Sequence, residues 1–234
     1  MGDKTGLISE VGKVAAPMRA ADFGAPTALM ATLALSAACW VVAVRQMDGM
    51  DMGVATELGS LAFFATAWVP MMAAMMLPGA APAVMRRARG HRPVLAVPQF
   101  LISYLAVWTI VGLAVYAMYR PHGSTVAAVL TIAAGVYELT PVKRECRRRC
   151  CDSRGSGLRF GLFCVGSSIG LMAMLVAVGV MNVTWMAIVG VVILAQKLAP
   201  PVAAVDVPLA LAIVGLGALI MVAPDAVPGL MPPM

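Results

Sequence analysis

Apolar residues fall in long blocks along this chain, and polar or basic stretches of a few residues separate them. Runs long enough to cross a hydrocarbon core of about 30 Å lie at roughly 27–45, 58–78, 99–119, 159–181 and 208–223, with shorter ones near 125–141 and 184–198. The pattern predicts an all-α, polytopic transmembrane helix bundle of about seven helices, with six as the fallback. Pro or Gly stands at most predicted helix ends, as at Pro78, Gly79, Pro98, Pro121, Pro200 and Pro201, and the loops are too short to fold alone. A single bundle over residues 27–223 follows, with a retained cytoplasmic tail at 1–26 and a short extracytoplasmic tail at 224–234.

Composition agrees with the pattern: 61% of residues are hydrophobic and 12% charged, with a mean hydropathy of +0.90, far outside the soluble range. Charge then orients the bundle, since Lys and Arg of short loops stay on the cytoplasmic side. With the N-terminus inside, every Lys and Arg falls inside except Arg45 and Arg120. The net charge of +6 is thereby explained by loops beside anionic lipid, without nucleic acid.

Near the inner end of the second run, WVPMMAAMMLPGAAP carries Met71, Met72, Met75 and Met76. At 3.6 residues per turn their sulfurs line one side of two successive helical turns. Such a patch serves either as plastic packing or as a soft-metal surface, because thioether sulfur favours Cu(I) over hard cations. Met75 lies about 26 Å along its helix at 1.5 Å per residue, toward the cytoplasmic leaflet. Glu138, Cys164 and Gln196 come to similar depth on three other helices. A carboxylate there costs about 2.5–3.5 kcal/mol to insert, so Glu138 faces the bundle, protonated or paired, with Lys143 and Lys197 nearest in depth. It serves metal ligation, proton transfer or packing.

After the fourth run comes YELTPVKRECRRRCCD, where Pro141 ends or kinks the helix. If the stretch is helical, Cys146 and Cys150 share a face, and the surrounding Lys and Arg favour the thiolate that binds metal or reacts. Two Cys do not complete a closed zinc site, and an inert basic loop is the other outcome. Cys39 reads as a small buried apolar residue. On the opposite face, QMDGMDMG places Met47, Asp48, Met50, Asp51 and Met52 in one loop, and His122 lies on the same side. Carboxylates attract cations and thioethers discriminate for Cu(I), which suits a capture site, although Met and Asp also suit a headgroup boundary.

Taken in order, MDGMDMG, WVPMMAAMMLPGAAP, YELTPVKREC and GLFCVGSSIGLMAMLVAVGVMNVTWM make the chain similar, from Gln46 to Lys197, to the bacterial predicted metal-binding integral membrane proteins, a family of unknown function. The resemblance implies a multi-helix protein of the bacterial inner membrane with a metal site and no established reaction. It departs from the family where CVGSSI replaces a segment close to CLGCCW, so Ser167 and Ser168 stand in place of thiol chemistry. The family also carries Gln where Glu138 stands and Glu where Gln196 stands. A carboxylate moved between those helices implies that they face each other.

Two function classes remain open. One is copper(I) handling, with the outer Met/Asp loop as capture site and the four methionines, Cys164, Cys146 and Cys150 as inner sites. The other is a non-catalytic structural or assembly subunit of a larger membrane complex, such as an oxidoreductase or monooxygenase. Enzyme chemistry finds no Gly-rich cofactor loop, serine nucleophile motif or paired carboxylates with a His, and no ATP-binding loop marks a pump.

Overall fold

The computed structural model describes residues 20–48, 58–90, 92–152, 155–179, 182–199, 203–227 and 230. They form eight α-helices: α1 Ala20–Met47, α2 Leu61–Ala88, α3 Pro93–Met118, α4 Ser124–Glu138, α5 Pro141–Asp152, α6 Gly157–Gly179, α7 Val183–Leu198 and α8 Ala203–Val222. A 3-10 turn, Pro224–Ala226, follows α8, and Val227 and Leu230 beyond it are buried. Five helices are long and apolar enough to cross a membrane, and α4 with the start of α5 makes a sixth when the pair, bent by 65°, is taken as one span. This is compatible with a multi-pass membrane protein.

Each of the seven apolar runs falls on a helix, and the eighth helix is the basic α5. Its apolar content is too low for hydropathy to mark it. Thr140 starts it, its Oγ1 accepting from the Lys143 backbone N–H at 3.4 Å, and Pro141 takes the first helical position, where its missing N–H costs nothing.

The second run ends at Pro78 by the sequence pattern, yet α2 continues to Ala88 through Pro70, Pro78 and Pro82. A helical proline removes the N–H that would bond the carbonyl four residues earlier. For Pro78 that carbonyl belongs to Ala74, and the Ser36 hydroxyl of α1 donates to it at 2.9 Å. The neighbouring helix thus satisfies the group that the proline frees, and the turn persists.

More than half of the apolar stretch of α2 and of α6 is buried, against less than a third in α1, α3 and α8. α2 packs on α1, α3 and α7, whereas α6 packs on α3, α4, α5 and α7, with α8 lying against α4. The two central helices are therefore joined through α3 and α7. Trp68 of α2 fixes one of these seams: its Nε1 donates to the Trp108 carbonyl of α3 at 2.9 Å, and Gly112 leaves room for the indole.

Cross-links identify the two ends of the bundle. At one end, Tyr116 Oη donates to the Gly59 carbonyl at 3.0 Å and His122 meets the Ala177 carbonyl at 3.1 Å. At the other, Arg87 bonds the Gly155 carbonyl, and Arg147 bonds the carbonyls of Gln196 and Ala199 at 2.7 and 2.9 Å. Arg86, Arg87, Arg89 and all the basic residues of α5 gather at this second, basic end.

Candidate metal centre

All four methionines of the predicted patch are buried. Met75 packs toward Gly190 of α7, where a Cβ would lie 3.5 Å from its Cγ. Met76 turns elsewhere. Its Sδ lies 3.9 Å from the Lys197 Nζ of α7, which donates to the Cys164 Sγ of α6 at 2.9 Å. Tyr104 of α3 closes the cluster, its hydroxyl 3.1 Å from Cys164 Sγ and 3.4 Å from Lys197 Nζ. Cys150 of α5, also buried, comes near Cys164 from the basic end. Four side chains from four helices thus bring two sulfurs and a phenol around one ammonium, with a third sulfur, that of Cys150, close to Cys164.

Local packing explains the convergence. Phe100 stacks on Tyr104 with ring centroids 6.1 Å apart, and Phe160 meets it edge-on at 5.3 Å, so the phenol is held toward the sulfurs. Gly79 of α2 clears a path for the Lys197 stem, since a Cβ there would overlap Lys197 Cδ. The small residues at the basic end of α6 let α5 fold back on it. Cys146 and Cys150 both face α6, one turn of α5 apart: a Cβ at Gly166 would lie 2.7 Å from Cys146 Sγ, while Cys150 reaches Cys164. Cys146 is half-buried and outside the five-residue cluster.

A second buried polar cluster begins one residue away. Gln196, the neighbour of Lys197, donates through Nε2 to Glu138 Oε2 at 2.7 Å, and Lys143 of α5 forms an ion pair with the same oxygen. The side chains of Glu138 and Gln196 thus meet, although α4 and α7 do not pack along their lengths. Arg147 pairs with Asp206 of α8 at 2.5 Å, both side chains buried. Glu138 Oε1 and Asp206 Oδ2 are buried without a hydrogen-bond partner. Each carboxylate here is a hard ligand with one oxygen already paired to a fixed cation.

Other predicted positions lie apart. Met47 is buried and Asp48 exposed at the end of α1, whereas Met50, Asp51 and Met52 lie outside the described residues. His122 has Nδ1 3.0 Å from the Arg120 carbonyl and Nε2 at the Ala177 carbonyl, so both ring nitrogens face backbone oxygen. Among the described residues, no group of three or more His, Cys, Asp or Glu side chains could hold a metal ion. The sulfur cluster lies outside that description because one of its donors is a thioether. Tyr104 went unmarked in the sequence pattern, its signal being a lone hydroxyl within an apolar run, and Lys197 stood there as a partner for Glu138 rather than for sulfur.

Residues 65–220, well over half of the chain, match a protein-family model described as "PpoB2: Copper chaperone". The match includes the whole sulfur cluster and leaves out the Met/Asp loop. No curated protein and no solved structure matches the chain.

Proposed function

The chain belongs to the PpoB2 copper chaperone family, and from that premise we propose that it is a multi-pass protein of the bacterial inner membrane that takes copper(I) among the sulfur atoms of its core and passes it on. The observation that carries this reading is the approach of Met76 and Cys164 to one ammonium within a buried cluster, with buried Cys150 nearby. Thiolate and thioether are the donors that select Cu(I), and a dry interior disfavours competing hard cations. The basic end faces the cytoplasm, because Lys and Arg of short loops are retained there.

Chemistry divides the remaining candidates. Glu138 is committed to Lys143 and Gln196, so it acts in packing rather than ligation. His122 offers no unengaged ring nitrogen. Capture from the opposite face falls to the Met47, Asp48, Met50, Asp51 and Met52 loop. Cys146, partly exposed on the face of α5 next to Cys150, stands where copper would meet an acceptor at the basic end. Met71, Met72 and Met75 line the apolar approach.

The experiment is copper content of the purified, detergent-solubilised protein after loading with Cu(I). Changing Met71, Met72, Met75 and Met76 together to Leu should lower bound copper while helical content stays at the parent level. Equal copper in parent and variant would remove the thioethers from the site.

A further inference from the structure

Lys197 occupies an unusual position for a lysine. Its ammonium lies 2.9 Å from a thiol sulfur, 3.4 Å from a phenol oxygen and 3.9 Å from a thioether sulfur, contributed by α6, α3 and α2. Among the described residues no carboxylate pairs with it: Glu138 is turned to Lys143 and Asp206 to Arg147. A single positive charge therefore stands among the donors that would ligate a monovalent soft cation. Copper(I) carries the same charge.

We infer that Met76, Cys150 and Cys164 form one copper(I) site and that Lys197 is its displaceable counter-cation, holding the metal's position and withdrawing when copper enters. This rests on the copper-handling reading and specifies how that site is loaded and emptied. The exchange balances. The contact between Lys197 Nζ and Cys164 Sγ breaks, S–Cu bonds form, any thiol proton passes to buffer, and no electrons move. The ammonium and Cu(I) exchange charge for charge, and each thiol that ligates as thiolate releases one further proton to buffer.

Withdrawal is open to Lys197 because it sits in the last turn of α7, one residue from the helix end, and is only half-buried. Its four-carbon stem reaches back along Gly79, so rotation about flexible bonds carries the ammonium toward the basic end and the C-terminal carbonyls of α7, where a cation is favoured. Gly79 sets the balance: a side chain there would displace the stem from its present path. A lysine that competes with copper weakens binding and speeds release, which suits a protein that must give its metal up.

The test measures transfer of copper from loaded, full-length protein in detergent to an excess of a water-soluble Cu(I) chelator. Lys197→Leu should retain the parent's copper content and release it at least tenfold more slowly, whereas Lys197→Arg should remain within about threefold of the parent. Gly79→Ala, which pushes the lysine stem aside without removing the charge, should also slow release, and it carries the test if Lys197→Leu does not fold. Release at the parent rate from copper-loaded Lys197→Leu or Gly79→Ala overturns the counter-cation role alone. A parent that holds no copper overturns the copper reading with it.

Discussion

Gln196 and Lys197 are consecutive residues of α7, yet they enter two buried polar regions of opposite character. Gln196 joins Glu138, Lys143, Arg147 and Asp206, a set of hard oxygens already matched by fixed cations. Lys197 joins Met76, Tyr104, Cys150 and Cys164, where soft donors meet a cation on a flexible stem. Both regions place charge where solvation is poor. They differ in whether the charge can be exchanged. In the ionic region each cation is committed to a carboxylate, so removing one member leaves an uncompensated charge. In the sulfur region a monovalent metal can replace the cation charge for charge, apart from any thiol proton released.

That contrast breaks most visibly from the ionic side. Asp206→Ala should destabilise the protein by about 3–5 kcal/mol, as for other buried pairs that lose one partner, and leave copper affinity of the folded fraction unchanged. Thermal unfolding in detergent, with copper content measured in parallel, reads both. Cys164→Ser should do the reverse. Copper affinity should fall on the order of a hundredfold, about 2.8 kcal/mol, with thermal stability within error of the parent. Were both substitutions to change the same property, the two regions would be one unit.

Smaller changes sharpen the same division. Ser36→Ala leaves the Ala74 carbonyl beneath Pro78 without its partner, and thermal unfolding should show a loss of about 1–2 kcal/mol with no effect on copper. Met71→Leu should be the mildest, costing less than about 1.5 kcal/mol and leaving copper content intact, while Met76→Leu alone reproduces the loss seen in the quadruple variant. A titration of each single variant with Cu(I) separates the ligand from the packing methionines.

The seven apolar helices were legible because each presents an unbroken hydrophobic block. α5 was not, since its sequence resembles a basic loop and its helix depends on the Thr140 cap and on packing against α6. The run through Pro78 was misjudged for a related reason: the compensating hydroxyl, Ser36, comes from another helix. Depth along the helices brought Met76 and Cys164 to one level, and the exchange of carboxylate and amide implied by the family resemblance anticipated the Glu138–Gln196 contact. Depth carries no rotation, however. It could not tell that Met76 alone of its patch meets the Lys197 ammonium, nor that Lys197 turns to sulfur while Lys143 takes Glu138. The approach of Cys150 to Cys164 needed the 65° bend between α4 and α5, whose place Pro141 marks but whose angle only tertiary packing sets.

X-ray absorption at the copper edge of the loaded, purified protein tests the central claim most directly. A copper(I) shell made of sulfur alone, which loses sulfur in Cys164→Ser and in Met76→Leu, is the predicted result. A shell of oxygen or nitrogen that neither substitution alters would place the metal elsewhere and contradict the account.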